Sequence, residues 1–396
     1  MTPEAALDLV RPAPDDGRPE RLRIGFIPLV DCAPLVVARA GGFAAREGLE
    51  LDLVRETSWA NIRDRLVLGH FDAAHMLAPM AVAARLGLGH LVSPVVAPFV
   101  IDHGGNSIVA TPRLAEAIAA RGGGDDPAAI GAALAEVVRA RLARGEEPPT
   151  FATVHPFSCH NYQLRYWLAA AGLDPDRDVR LVVVPPPYMV DAMTSGMVEA
   201  ACVGAPWPEL AAAAGVGCIL MSTAATWTPG PEKVLGVREA FIERRPHSFA
   251  ALMRCLDRAA AWVEDPANRD DLVRLLADEA VIGVEAAVIA AALAEGPRFH
   301  GAGPVGPINR PRPADGLWLA TQMVRWGHAR APERAFEAAQ IAFSPTAWDA
   351  TIGAEAAVAT SMTVMPFDGA AFDGADPEAW LATHPATRTG PIFGES

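Results

Sequence analysis

The segment Arg23–Val54 reads RIGFIPLVDCAPLVVARAGGFAAREGLELDLV, and the order of element types within it decides the fold. Arg23-Ile24-Gly25-Phe26-Ile27-Pro28-Leu29 has the length and apolar character of a buried strand that runs into a turn. From Pro34 to Ala45 the pattern turns helical, and Gly48 stops it. Leu49-Glu50-Leu51-Asp52-Leu53-Val54 then alternates as a strand does. Strand, helix and strand in this order make a βαβ unit, which predicts a parallel sheet covered by helices.

Working outward, Ser58-Trp59-Ala60-Asn61 opens a helix through Leu68, and a short strand follows over His70 to His75. The alternation continues to about Val109. Residues 115–149, with Gly122-Gly123-Gly124-Asp125-Asp126 and an Ala/Arg-rich amphipathic helix, read as a surface excursion on a second lobe. A second series then begins with a strand over Phe151 to His155 and a helix over Asn161 to Ala171. A buried strand over Val179 to Val184 is stopped by Pro185-Pro186-Pro187, and the strand Glu199 to Val203 comes next. After Lys233-Val234-Leu235-Gly236-Val237 the chain is mainly helical, closing on a Pro/Gly/Asp-rich tail from about Pro366. The expected class is α/β, with one series inserted into the other. Lobe 1 is residues 20–111 and 226–396, lobe 2 is 112–225, and 1–19 is a polar tail. In such sheets ligands sit beyond the carboxyl ends of strands. That selects the loops after Ile27, Val54, His75, His155, Val184 and Val203, and the one before Lys233.

Composition narrows the function. The 396 residues are 51% hydrophobic, which suits globular lobes, and the net charge of -14 disfavours direct contact with nucleic acid or acidic lipid. The five cysteines include no CxxC pair, as expected of reduced, buried thiols. The first twenty residues carry scattered charges and prolines with no apolar run of signal-peptide length, so the expected compartment is cytoplasmic with no membrane insertion. Metal-binding, phosphate-loop and dinucleotide fingerprints are missing, and no cofactor is indicated.

The most informative residue is rare. Lys233 is the only lysine among 33 Lys and Arg residues. A compact ammonium fits a small cavity around a few-atom anion where a planar guanidinium does not; the alternative is a chance survivor on a loop. Trp59, at a helix start, offers a donor-only indole N–H to an acceptor-only ligand, or packs between lobes. Asn61, Asn106 and Asn161 fall at expected strand-to-helix turns, where asparagine also serves simply as a cap. His160 can donate to an anion, with His75 and His155 as competitors, and its neighbour Cys159 is badly placed for a catalytic dyad.

Several runs resemble the nitrate- and bicarbonate-binding proteins of the NrtA/CmpA/NasS group. They are Asp31-Cys32-Ala33-Pro34-Leu35-Val36-Val37-Ala38, Ser58-Trp59-Ala60-Asn61-Ile62-Arg63-Asp64 and Ala74-His75-Met76-Leu77-Ala78-Pro79-Met80. Further along are Arg165-Tyr166-Trp167-Leu168, Cys202-Val203-Gly204-Ala205-Pro206-Trp207 and Pro231-Glu232-Lys233-Val234-Leu235-Gly236-Val237. The resemblance spans roughly residues 22–330 and implies a two-lobed type II periplasmic-binding-protein fold with the ligand in the cleft. It implies that Trp59, Asn106, His160 and Lys233 hold nitrate or nitrite, with Asn106 shorter than the glutamine usual there. His155 to Tyr162 is closer to the cytoplasmic sensor members, which restrain an antiterminator protein that binds RNA. The other readings are the binding component of an ABC uptake system for a small oxyanion, and an enzyme like those of thiamine-pyrimidine synthesis.

Overall fold

The computed structural model describes residues 18–353 and 363–385, apart from 90, 229, 295, 304 and 305. Most of the expected polar tail, 1–17, and the ends of the C-terminal segment lie outside the described residues. The chain builds β1 (Glu20–Phe26), β2 (Leu49–Arg55), β3 (Ala73–Leu77) and β4 (Val95–His103) in one lobe. It then crosses to a second lobe for β5 (Asn106–Ala110), β6 (Thr150–Thr153), β7 (Arg180–Val183), β8 (Ala200–Gly204) and β9 (Cys218–Ser222). It returns through β10 (Trp227–Thr228) into β11 (Pro231–Arg238). Two five-stranded sheets result, ordered β2-β1-β3-β11-β4 and β7-β6-β8-β5-β9.

The α/β two-lobed class is as expected, but neither sheet is purely parallel. β1 runs parallel to β2 and β3, and β6 to β7 and β8. β11 is antiparallel to β3 and β4, and β5 to β8 and β9. The odd strands are the two that follow the crossings, because each enters its sheet from the shared hinge, opposite to the local βα units. The first crossing falls between His103 and Asn106 rather than after residue 111. Apolar continuity through Val109 hid it, since a strand's side-chain pattern carries no record of which sheet it joins.

Three further expectations change. The amphipathic helix expected in 115–149 is present as Pro127–Ala143, preceded by a helix over Pro112–Ala119, but it packs into the second lobe's core instead of forming a surface excursion. Asp126 caps the longer one by accepting from the Ala129 N–H, and Ile130, Leu134 and Val138 are buried in the second lobe's core. Its Gly131 lies so close to Trp167 that a Cβ would stand 3.1 Å from the indole nitrogen. β7 is the edge of its sheet, and its residues are half-buried or exposed. The tail beyond Pro366 is structured where described: Met365–Pro366 pairs with β10, and a helix spans Pro377–Thr383. There Asp368 accepts from the Tyr166 hydroxyl of the second lobe, and Trp380 packs edge-on to Trp318. Among the described residues no helix is long and apolar enough to cross a membrane.

Candidate functional site

The carboxyl ends of the strands of both lobes meet at a fully buried polar cluster. Trp59 starts the helix Trp59–Val67 just beyond β2, with Ser58 as its cap accepting from the Asn61 N–H. His160 starts the second lobe's helix Cys159–Ala170, with Ser158 in the same capping role. Serine at these positions satisfies an N–H the first helical turn leaves unbonded, which fixes where the next side chain points. Lys233 sits early in β11, and Asn106 opens β5 rather than lying at a strand-to-helix turn. Trp59, Asn106, His160 and Lys233 are all completely buried.

The ammonium of Lys233 lies 2.8 Å from Asp31 Oδ2 and donates to Asn106 Oδ1 at 3.3 Å. Its backbone N–H donates to Asp102 Oδ1 at 2.7 Å. His75 accepts from the Ile27 N–H at Nδ1, so its Nε2 carries the proton in the neutral ring and faces Asp31 Oδ1 at 3.0 Å. Trp59 packs edge-on to His75, centroids 5.2 Å apart. Behind Asn106, Glu232 accepts from Asn106 Nδ2 at 2.5 Å and from Gln163 Nε2 at 3.0 Å.

Because lysine only donates, it turns the Asn106 oxygen toward itself, and the amide N–H groups go to Glu232. Asn106 therefore offers the cluster an acceptor in this geometry. Among the described residues Trp59 Nε1 has no partner and neither ring nitrogen of His160 has one, while the Lys233 ammonium, with three N–H groups, bonds to Asp31 and Asn106. A Cβ at Gly204 would stand 3.3 Å from Asn106 Oδ1 and 3.7 Å from His160 Nε2, so a small space in front of this glycine is walled by both.

Burial alone would raise the Asp31 carboxyl, but Lys233 and His75 overcome it and hold it down at about 2. Burial also pushes the His160 imidazole well below its usual range, with Lys233 adding to the effect, so the ring is neutral with one donor and one acceptor. Lys233 stays charged: burial opposes its proton, but Asp31, Asp102 and Glu232 together outweigh that. The Cys159 thiol donates to the Pro231 carbonyl and is pushed well up by burial, which removes it as a nucleophile.

His155 accepts from the Phe157 N–H at Nδ1, and its ring packs against Phe157 with centroids 5.8 Å apart. Asn61 and Asn161 act locally, donating to Glu56 and to the Pro156 carbonyl. Asp31, Asp102, Gln163 and Glu232 were not singled out from the sequence. A signal existed for the aspartates, since each is a lone carboxylate inside an apolar run and a buried charge requires a partner.

Two lobes joined by two crossings, with a cation and unengaged donors between them, give the fold class of two-lobed solute-binding proteins. The chain belongs to the NMT1-like family, whose model matches residues 15–277. It is 36% identical to the bicarbonate transport ATP-binding protein CmpC of Synechococcus elongatus over 93% of this chain and 55% of that protein. It is 29% identical to the nitrate/nitrite binding protein NrtA of the same organism, over 90% of this chain and 84% of that one. The crystal structure of the periplasmic nitrate-binding protein NrtA from Synechocystis superposes with a TM-score of 0.79 at 26% identity, covering 92% of this chain and 98% of that one. The chain spans about half the length of the ATP-binding relatives it matches.

Proposed function

We propose that the chain closes on nitrate or nitrite and serves as the binding module of a nitrate-type uptake system. The observation that carries this is the set of donors, Trp59 Nε1, His160 and Lys233 Nζ, contributed by both lobes to one buried cluster. A buried donor left unmade costs about 1–3 kcal/mol, so the closed form is favoured when an acceptor-only anion fills it. Three donors match the three oxygens of a planar nitrate. Similarity to a protein named as nitrate/nitrite binding supports the same ligand. The test is calorimetric titration with nitrate, nitrite and hydrogencarbonate in chloride-free buffer. Saturable heat with nitrate or nitrite is expected, and silence with both would overturn the reading. Trp59→Phe keeps the ring against His75 but removes one donor, so affinity should fall about 10- to 100-fold. An unchanged Kd would place the anion away from the indole.

A finer reading concerns what closure reports to. The likeness of His155 to Tyr162 to the cytoplasmic sensor members favours control of an antiterminator partner in the cytoplasm. Recovery of that partner with the bound chain, and its release on adding nitrate, would support it. Nitrate-independent recovery would leave the uptake role.

A further inference from the structure

The charges of the cluster carry a consequence for how an anion enters. Lys233 is its one cation, and Asp31 already stands 2.8 Å from the ammonium. An anion therefore meets a neutral ion pair, not a free positive charge. Glu232 lies one bond network away, joined to Lys233 through Asn106, and is 1% exposed. Three buried carboxyls, Asp31, Asp102 and Glu232, share this one lysine. Leaving all of them charged is electrostatically costly, and the lower-energy arrangement neutralises those not directly paired with the ammonium.

We propose that anion binding takes up a proton on Glu232, which makes this carboxyl the residue that balances the charge of the bound anion. The inference rests on the anion reading above.

The surroundings of Glu232 suit both of its charge states. Gln163 Nε2 donates to it when ionised. The Gln163 oxygen is buried without a partner, so a half turn of that amide presents an acceptor to the neutral carboxyl's O–H. Asn106 cannot turn in the same way, because Lys233 holds its oxygen. Protons reach the group from a hinge-side cavity of about 320 Å³ that both Glu232 and Gln163 line.

The facing charged and titratable groups come from every neighbouring element. β4 brings Asp102 and His103, and the turn before the helix Ala33–Ala40 brings Asp31. β3 brings His75, the helix Cys159–Ala170 brings Cys159 and His160, and β8 brings Cys202. Across the cavity stand Arg298 and Arg312, the latter tied to Asp315 by two hydrogen bonds. Burial pushes the Glu232 carboxyl up to about 7, against the pull of Lys233 and the hydrogen bonds from Asn106 and Gln163. Asp102 is also raised by burial, but it accepts the Lys233 backbone N–H and has no bond to Asn106.

The sign follows from the raised value. Below about pH 6 Glu232 is already neutral and affinity is flat; above about pH 7 it must gain a proton on binding, and Kd rises about tenfold per pH unit. The experiment is nitrate titration of the full chain at pH 5.5 and pH 8 in buffers of different ionisation enthalpy. Proton uptake near zero at the lower pH and approaching one per anion at the higher is expected. Glu232→Gln should abolish both the buffer dependence and the pH trend. Binding with buffer-independent heat at pH 8, or proton uptake that persists in E232Q, would overturn the inference and leave the anion reading intact. No saturable binding at either pH would overturn both.

Discussion

Replacing Lys233 with methionine is expected to abolish saturable anion binding and to destabilise the fold by about 3–5 kcal/mol, because it leaves Asp31 buried without its counter-charge. Methionine keeps the length and bulk of the stem, so the loss reports the ammonium rather than a cavity. Calorimetry reads the first effect and urea unfolding the second. Nitrate affinity equal to the wild type would remove the proposed site.

The same pair sets a pH signature. Asp31 is held at about 2 in the fold and returns to an ordinary value near 3.9 when unfolded. Its contribution is therefore present above about pH 4 and lost as pH falls toward 2. In Lys233→Met that component of acid denaturation should vanish. Lys233→Arg keeps the charge, yet a planar fork cannot occupy a completely buried ammonium position without moving Asn106 or Asp31. Weakened binding is expected there too.

Gly204→Val is expected to abolish anion binding while the protein remains folded. Gly204 does not adopt a left-handed backbone conformation, so a branched residue fits the strand end. Its Cβ alone would stand 3.2 Å from Leu29 Cδ2 and 3.3 Å from Asn106 Oδ1, and valine's methyls would extend into the space walled by His160. Such overpacking costs about 1–3 kcal/mol of stability, which a structure of this size tolerates. A thermal melt beside the titration separates the two effects. Nitrate bound with unchanged affinity by folded G204V would place the anion elsewhere.

Much of this was legible residue by residue. The strand–helix–strand reading of Arg23–Val54 holds, with β1 and β2 paired in parallel. The singular lysine did mark a confined position, since Lys233 is completely buried. Trp59 and His160 fall at helix starts, each just after a capping serine. Asn106 was found by likeness, but the orientation of its amide was not legible, because which end faces a site depends on neighbours far along the chain. Glu232 was overlooked although it adjoins Lys233. Beside a lysine, a glutamate looks like an ordinary charged surface pair until burial is known.

The local code of this chain, apolar period, proline and glycine stops and serine caps, determined the element types and the α/β class, because each of these acts within a few residues. Only the tertiary structure decided that β5 leaves the first sheet and that β11 runs against its neighbours. It alone brought Asp31, Asn106 and Lys233 together across intervals of up to about 200 residues. Strand partners and buried charges are chosen by whole-lobe packing and by the cost of an unpaired group in a dry interior, and neither quantity is written in a local window.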